Sequence, residues 1–171
     1  EVVVNQLIEN NGEYSIDFDD LREKAKQGAK FMIVCNPHNP VGRVWSKDEL
    51  ETIANICIEN NITIISDEIY SDIMLWGNKH TPMASISEET RKHTITCTSS
   101  TKTFNLAGLV GSYHIIYNKY LRDRVRATSS KCHYNSMNVL SMHALIGAYK
   151  PEGYEWVDEL CQVLSENVNY A

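Results

Sequence analysis

The sequence predicts an α/β domain of three layers, α/β/α, built around a mainly parallel β-sheet. Short apolar runs typical of buried strands alternate along the chain with segments of helical periodicity. Such an alternation is typical of a parallel sheet with helices packed on its faces. The 171 residues, 43% of them hydrophobic, are enough for one domain with a buried core.

The first part of the chain predicts two strands and the helix between them. The run EVVVNQL at residues 1–7 is predicted to form a strand. Asp17 is predicted to begin a helix that ends at Gly28, because these residue types favour helix starts and stops. The continuous apolar run FMIVC at 31–35 is typical of a strand that is covered on both faces.

The remaining elements follow the same alternation. Ser46 and Glu49 form the pattern S-x-x-E, which predicts a capping box and a helix behind it. Further strands are predicted at 62–66, 94–98 and 112–117. Further helices are predicted at 118–128, 136–149 and 154–170. The chain begins inside a strand-like run and ends inside a helical pattern, which predicts a fragment of a longer protein.

Charge and cysteine content narrow the class of protein. The net charge of −6 weighs against nucleic acid or an anionic membrane as the main partner, and no apolar run is as long as a membrane span. The five cysteines are odd in number and scattered, which favours a reduced, cytoplasmic protein. Because no pair of them has metal-ligand spacing, no metal site is predicted.

Polar, turn-rich segments follow three of the predicted strands. They are NPHNPVG, SDEIY and TSSTK. Ligands of open α/β sheets bind outside the carboxyl ends of the strands. We therefore expect Asn39, Asp67 with Tyr70, and Lys102 to lie towards one edge of the sheet.

These residue types suit pyridoxal 5′-phosphate (PLP). A lysine amine placed in a site suggests a Schiff base, and PLP forms one with a lysine. Asp67 can keep the pyridine nitrogen protonated, because a buried carboxylate favours a positive neighbour. Asn39 and Tyr70 can donate to the ring oxygen. Ser99 and Thr101 can donate to the phosphate.

The segments NPHNPVG, SDEIY and SSTKTFNLAG, in this order, resemble fold-type I PLP-dependent enzymes of the aminotransferase class I/II group. Their residues are most similar to those of the cystathionine β-lyase (C–S lyase) branch, and the resemblance covers nearly the whole chain. It implies that residues 1–171 are the central part of a PLP-binding large domain, with an N-terminal segment and a C-terminal small domain outside it. It also implies an amino-acid substrate and a homodimer.

The resemblance assigns a role to each motif residue. Lys102 would hold PLP covalently and then act as the general acid and base, and Asp67 would pair with the pyridine nitrogen. The other implied contacts are Asn39 and Tyr70 to the ring oxygen, Ser99 to the phosphate, and Thr101 as a helper of Ser99. Many aminotransferases of the group carry an arginine eight residues after the lysine, where this chain has Val110.

Because the lyase branch often lacks that arginine, Val110 favours β-elimination on cystathionine-like amino acids. A PLP-dependent aminotransferase is the alternative. A more distant alternative is the aminotransferase-like domain of a transcriptional regulator, which requires a DNA-binding domain upstream.

Taken singly, the candidate site residues have structural interpretations as well. Lys102 could be an ordinary surface lysine, and Asp67 could be the N-cap of a helix over EIYSDIM. The others could be a packed aromatic at Tyr70, a turn at Asn39, and caps at Ser99 and Thr101.

Overall fold

The computed structural model describes residues 1–170 and contains six strands and seven helices in that range. The strands are β1 (Ile8–Asn10), β2 (Glu13–Ser15), β3 (Phe31–Cys35), β4 (Thr63–Asp67), β5 (Thr94–Thr98) and β6 (Tyr113–Ile116). The helices are α1 (Phe18–Lys26), α2 (Lys47–Glu59), α3 (Glu88–His93), α4 (Ser100–Thr103), α5 (Lys119–Lys131), α6 (Val139–Ala148) and α7 (Pro151–Tyr170). Short 3₁₀ turns lie at Met83–Ser85 and Ala107–Leu109.

The main sheet has four strands in the order β3-β4-β5-β6. Strands β3, β4 and β5 are parallel, and β6 is antiparallel to β5. Cys35 pairs with Asp67 across β3 and β4, and Asp67 pairs with Cys97 across β4 and β5. The prediction of an α/β domain with a mainly parallel sheet is confirmed, and the carboxyl ends of its three parallel strands meet at one edge.

The predicted strand at residues 1–7 is wrong. Within residues 1–170, strand structure begins only at β1, which pairs with β2 in a separate antiparallel hairpin. Asn11 and Gly12 connect the two strands, both with positive φ (53° and 85°), as two-residue hairpin turns of type I′ require. The valine run favours an extended backbone, but no described strand pairs with it, and Val2 and Val4 are exposed.

The start of α2 follows the predicted capping box. The Ser46 hydroxyl accepts a hydrogen bond from the Glu49 backbone N–H at 3.2 Å. The Glu49 carboxylate in turn accepts one from the Ser46 backbone N–H at 2.7 Å. Both N–H groups belong to the helix start, where no carbonyl of the helix can reach them. The box therefore fixes where α2 begins.

Replacing Ser46 by alanine should lower the free energy of unfolding by about 1 kcal/mol, because one helix-start N–H loses its acceptor. Chemical denaturation of the full-length protein measures this. The matched control is Asn55→Ala on the exposed face of α2, which should change stability little. Equal stability of the wild type and Ser46→Ala would contradict the prediction.

The two C-terminal helices differ from their predicted bounds. Helix α6 begins at Val139 behind the N-cap Asn138, whose side chain accepts from the Ser141 N–H. Helix α7 begins at Pro151, since a proline in the first helical position lacks only an N–H that has no helical acceptor. Within residues 1–170, no helix is both long and apolar enough to cross a membrane.

The core lies on one face of the main sheet, between the strands and helices α1 and α2. Val34 and Ile64 point into it from the strands, and Leu50 enters it from α2. On the opposite face, Phe31 is 62% exposed and Ile33 is 73% exposed. The prediction that this strand is covered on both faces is therefore wrong for these two side chains.

Cys57 in α2 should resist alkylation in the folded protein. Its side chain is fully buried, and burial raises the pKa of its thiol to about 12. The thiolate is the reactive form, so iodoacetamide at pH 8 should modify the exposed Cys132 and leave Cys57 unmodified. Peptide mapping measures the modification of both cysteines, and unfolding in urea should make Cys57 accessible to alkylation. Modification of Cys57 at the rate of Cys132 without urea would refute this.

Candidate active site

The three predicted site segments start at the same edge of the main sheet. The first follows Cys35 and carries Asn39, the second includes Asp67 as the last residue of β4, and the third follows β5. Lys102 lies in α4, two residues beyond the helix start, and its side chain is exposed. The sheet topology thus supplies the common edge that the sequence predicted.

Asp67 occupies the middle of this edge. Its Oδ1 accepts a hydrogen bond from the Ile69 backbone N–H at 3.2 Å. The segment behind it forms turns instead of the helix that the N-cap interpretation required. Among the ion pairs within residues 1–170, none involves Asp67. A half-buried carboxylate without a cationic partner suits a positively charged ligand atom such as a protonated pyridine nitrogen.

Two thiols flank Asp67 in the neighbouring strands. Burial raises the pKa of the Cys97 thiol, and the negative charge of Asp67 raises it further. Burial also raises the pKa of the Cys35 thiol; the backbone N–H of Asn39 opposes this shift, and Asp67 adds to it. Both thiols therefore stay protonated at neutral pH, and Asp67 is the one carboxylate among the paired residues Cys35, Asp67 and Cys97.

The loop that carries Asn39 is folded into a small hairpin. The His38 N–H donates to the Arg43 carbonyl at 2.7 Å, and the Gly42 N–H donates to the His38 carbonyl at 2.8 Å. Below the hairpin lies Trp45, which is 3% exposed and whose indole N–H donates to the Cys35 carbonyl at 2.9 Å. Asn39 is exposed on this hairpin.

The hydroxyls of Ser99 and Thr101 are hydrogen-bonded to each other, and the Ser99 hydroxyl also bonds to the backbone. Ser99 is buried, caps α4 by accepting the Thr101 N–H at 3.0 Å, and donates its only hydroxyl hydrogen to the Gly111 carbonyl. The Thr101 hydroxyl lies 2.8 Å from the Ser99 oxygen and is half-buried. The capping interpretation of Ser99 is thus confirmed. A phosphate contact from Ser99 would require its hydroxyl to turn away from Gly111.

Comparison with known proteins identifies the family. The aminotransferase class I and II family matches residues 2–170. The chain belongs to this family. Cystathionine β-lyase PatB of Bacillus subtilis (strain 168) is 40% identical to it over 171 residues, which are 99% of the chain and 44% of PatB.

Solved structures of the same kind share the fold. A PLP-bound protein from Clostridium difficile 630 has a TM-score of 0.95 and 42% identity, covering 99% of the chain and 44% of its own length. The PLP-bound C–S lyase from Staphylococcus hominis has a TM-score of 0.86 and 40% identity, covering 96% of the chain and 41% of its own length. The chain thus spans less than half the length of these relatives, and the family assignment made from the motifs is confirmed.

Val110 lies eight residues after Lys102, at the position where the sequence resemblance implies an arginine in many aminotransferases. It follows the 3₁₀ turn at Ala107–Leu109, and its side chain is 78% exposed. Its backbone has φ 38°, in the left-handed region that β-branched residues rarely adopt. The position provides neither a charge nor a side-chain donor to a phosphate.

Three polar residues near the candidate site, two of them buried and the third with its side chain 8% exposed, were not predicted from the sequence. They are Asn36, Glu68 and His80, linked by side-chain hydrogen bonds. Glu68 lies inside the SDEIY segment, directly after Asp67, so its position gave a signal. Asn36 and His80 lie 44 residues apart in the chain, and no spacing pattern connects them.

Proposed function

We propose that the full-length protein is a PLP-dependent C–S β-lyase that acts on cystathionine-like amino acids. In this proposal the chain is the central part of its PLP-binding large domain. The main support is the row Cys35–Asp67–Cys97 at the sheet edge, where the Asp67 carboxylate lies between two thiols and forms no ion pair within residues 1–170. The similarity of the chain to PatB and to the Staphylococcus lyase also supports the proposal of C–S cleavage.

The residues of the chain fit the polar groups of PLP one by one. Asp67 would hold the pyridine nitrogen in its protonated form, and Lys102 would hold the cofactor covalently through its amine. The proposed remaining contacts are Asn39 and Tyr70 to the ring oxygen, and Ser99 and Thr101 to the phosphate. A homodimer and a cytoplasmic location complete the proposal on the strength of the family resemblance and the scattered cysteines.

Lys102 would also move the proton in the reaction. When bound, PLP supplies an electron sink for the charge that develops at the α-carbon of an amino acid. The amino group of the substrate would first displace the Lys102 amine from the cofactor, and the freed amine would then accept the α-proton of the substrate as a general base. The bond between the β-carbon and sulfur would then break, and the thiolate would leave with the bonding electrons and take up a proton. The remaining three-carbon enamine would tautomerise to an imine and react with water to give pyruvate and ammonia.

The test incubates the full-length protein and PLP with cystathionine and no keto acid. A lyase should release pyruvate and ammonia in equal amounts, measured by coupled absorbance assays. An aminotransferase, the second candidate because it gives the family its name, should need a keto-acid acceptor and form a new amino acid. A strict requirement for the acceptor would refute the lyase proposal while leaving PLP dependence intact.

A further inference from the structure

We infer that the buried pair Glu68–His80 positions the cofactor-binding residues by tying the Asn39 loop to the end of β4. The inference rests on the proposed function, because it assigns a role to residues behind the proposed PLP contacts. Glu68 is 4% exposed, and its Oε2 lies 3.0 Å from His80 Nε2. Neither residue is among the proposed cofactor contacts.

Glu68 is a buried carboxylate whose oxygens are well supplied with donors. Its Oε1 accepts the Ser66 hydroxyl at 2.8 Å and the Met83 backbone N–H at 3.1 Å. Together with His80 on Oε2, these bonds satisfy both oxygens of a polar group that would otherwise be costly to bury. Because side chains of a strand alternate between faces, Glu68 and Ser66 share one side and Asp67 points to the other. Glu68 is therefore a fixed point behind the row that contains Asp67.

The hydrogen bonds of His80 define its tautomer and its second partner. Its Nδ1 lies 3.4 Å from Asn36 Nδ2, an amide nitrogen that can only donate. Nδ1 is then the acceptor, and Nε2 carries the hydrogen that is donated to Glu68. His80 thus acts as a directional link from Asn36 to the carboxylate.

Asn36 connects His80 to the loop that carries Asn39. Its Oδ1 accepts the Trp45 backbone N–H at 3.0 Å, which joins the two ends of the hairpin. Its own backbone N–H donates to the Asp67 carbonyl at 2.9 Å.

On the other side of the Glu68–His80 pair, the Glu68 carbonyl accepts the Ser71 N–H at 3.0 Å and so begins the turn that contains Tyr70. The same hydrogen-bond network therefore fixes the backbone segments that carry Asn39, Asp67 and Tyr70, the three residues proposed to contact the PLP ring.

The test measures PLP binding to full-length variants alongside their melting temperatures. His80→Phe removes both nitrogens, and Glu68→Gln places an amide NH₂ against a donor, either the His80 N–H or the Met83 backbone N–H. Both should weaken PLP binding and shift the absorption maximum of the bound cofactor. We expect a rise in the dissociation constant of about 10- to 100-fold, as outer hydrogen-bond partners of metal ligands show. His80→Gln, which keeps one donor and one acceptor, should recover most of the affinity.

The control is Ile53→Ala, a truncation of a buried side chain in α2 outside the network. It should lower the melting temperature without changing the dissociation constant or the spectrum. Wild-type affinity and spectrum in both His80→Phe and Glu68→Gln would overturn the inference and leave the pair a purely structural one. If His80→Phe does not fold, Glu68→Gln against Ile53→Ala decides the question. A wild type that binds no PLP would instead defeat the proposed function, and the inference with it.

Discussion

Replacing Lys102 by alanine in the full-length protein should lower the rate of pyruvate release from cystathionine at least ~10³-fold, since general acid–base catalysis alone contributes about 10²–10⁴-fold. The variant loses both the covalent attachment of PLP and the base that accepts the α-proton. Steady-state assays at saturating PLP measure the rate. Borohydride reduction followed by peptide mapping should label the peptide containing Lys102 in the wild type and not in the variant.

Two controls distinguish the role of the Lys102 amine from the effect of its positive charge and from the effect of removing any lysine. Lys102→Arg keeps the positive charge, but a guanidinium has no free base form in proteins, so this variant should be as inactive as Lys102→Ala. Lys131→Ala changes an exposed lysine in α5 and should keep wild-type activity. Labelling of a different lysine in the wild type would overturn the assignment of Lys102.

Replacing Asp67 by asparagine should lower kcat about 10²- to 10³-fold, the size of effect seen when one preorganised charge-stabilising group is lost from a reacting centre. The amide keeps the shape of the side chain but no longer favours a protonated pyridine. Asp48→Asn, which neutralises an acidic residue in the exposed first turn of α2, is the matched control and should retain wild-type kcat.

The same variant has a consequence that does not depend on the cofactor. The negative charge of Asp67 disfavours ionisation of Cys35 and Cys97 and raises the pKa of both thiols. Removing that charge should lower both pKa values, although burial, the larger cause, remains. Alkylation of the two cysteines in the protein without PLP should therefore reach its half-maximal rate at a lower pH. An unchanged kcat together with unchanged alkylation profiles would show that Asp67 does not act as described.

The fold was predictable where the signal was local or periodic. The capping box of Ser46 and Glu49 needs only residues three apart, and the apolar run at 31–35 needs only its neighbours. The run at 1–7 has the same β-branched character, yet it forms no strand because strand formation needs a partner, which local sequence does not specify. For the same reason the exposure of Phe31 could not be predicted from its own strand.

The candidate site was predictable where the motif lies on the chain in one piece. Asp67 is the last residue of β4 and Lys102 follows the end of β5, and the parallel sheet brings those ends to one edge. The Glu68–His80 link depends on an approach between distant segments and on the tautomer of an imidazole, neither of which leaves a pattern in the sequence. The hydrogen bond from Ser99 to the Gly111 carbonyl likewise leaves no pattern in the sequence. It occupies a hydroxyl that the motif alone suggests is free to bind a phosphate.

The exposed face of β3 also matters for how the chain behaves in concentrated solution. As the outer strand of the main sheet, β3 has one side whose backbone groups are not paired within the sheet, and Phe31 and Ile33 add apolar contacts beside it. Such an edge can add a strand from another molecule and lead to aggregation. The 171-residue chain expressed alone should scatter more light as its concentration rises, and Phe31→Lys should reduce that scattering. Equal scattering from both proteins would exclude this edge as the cause.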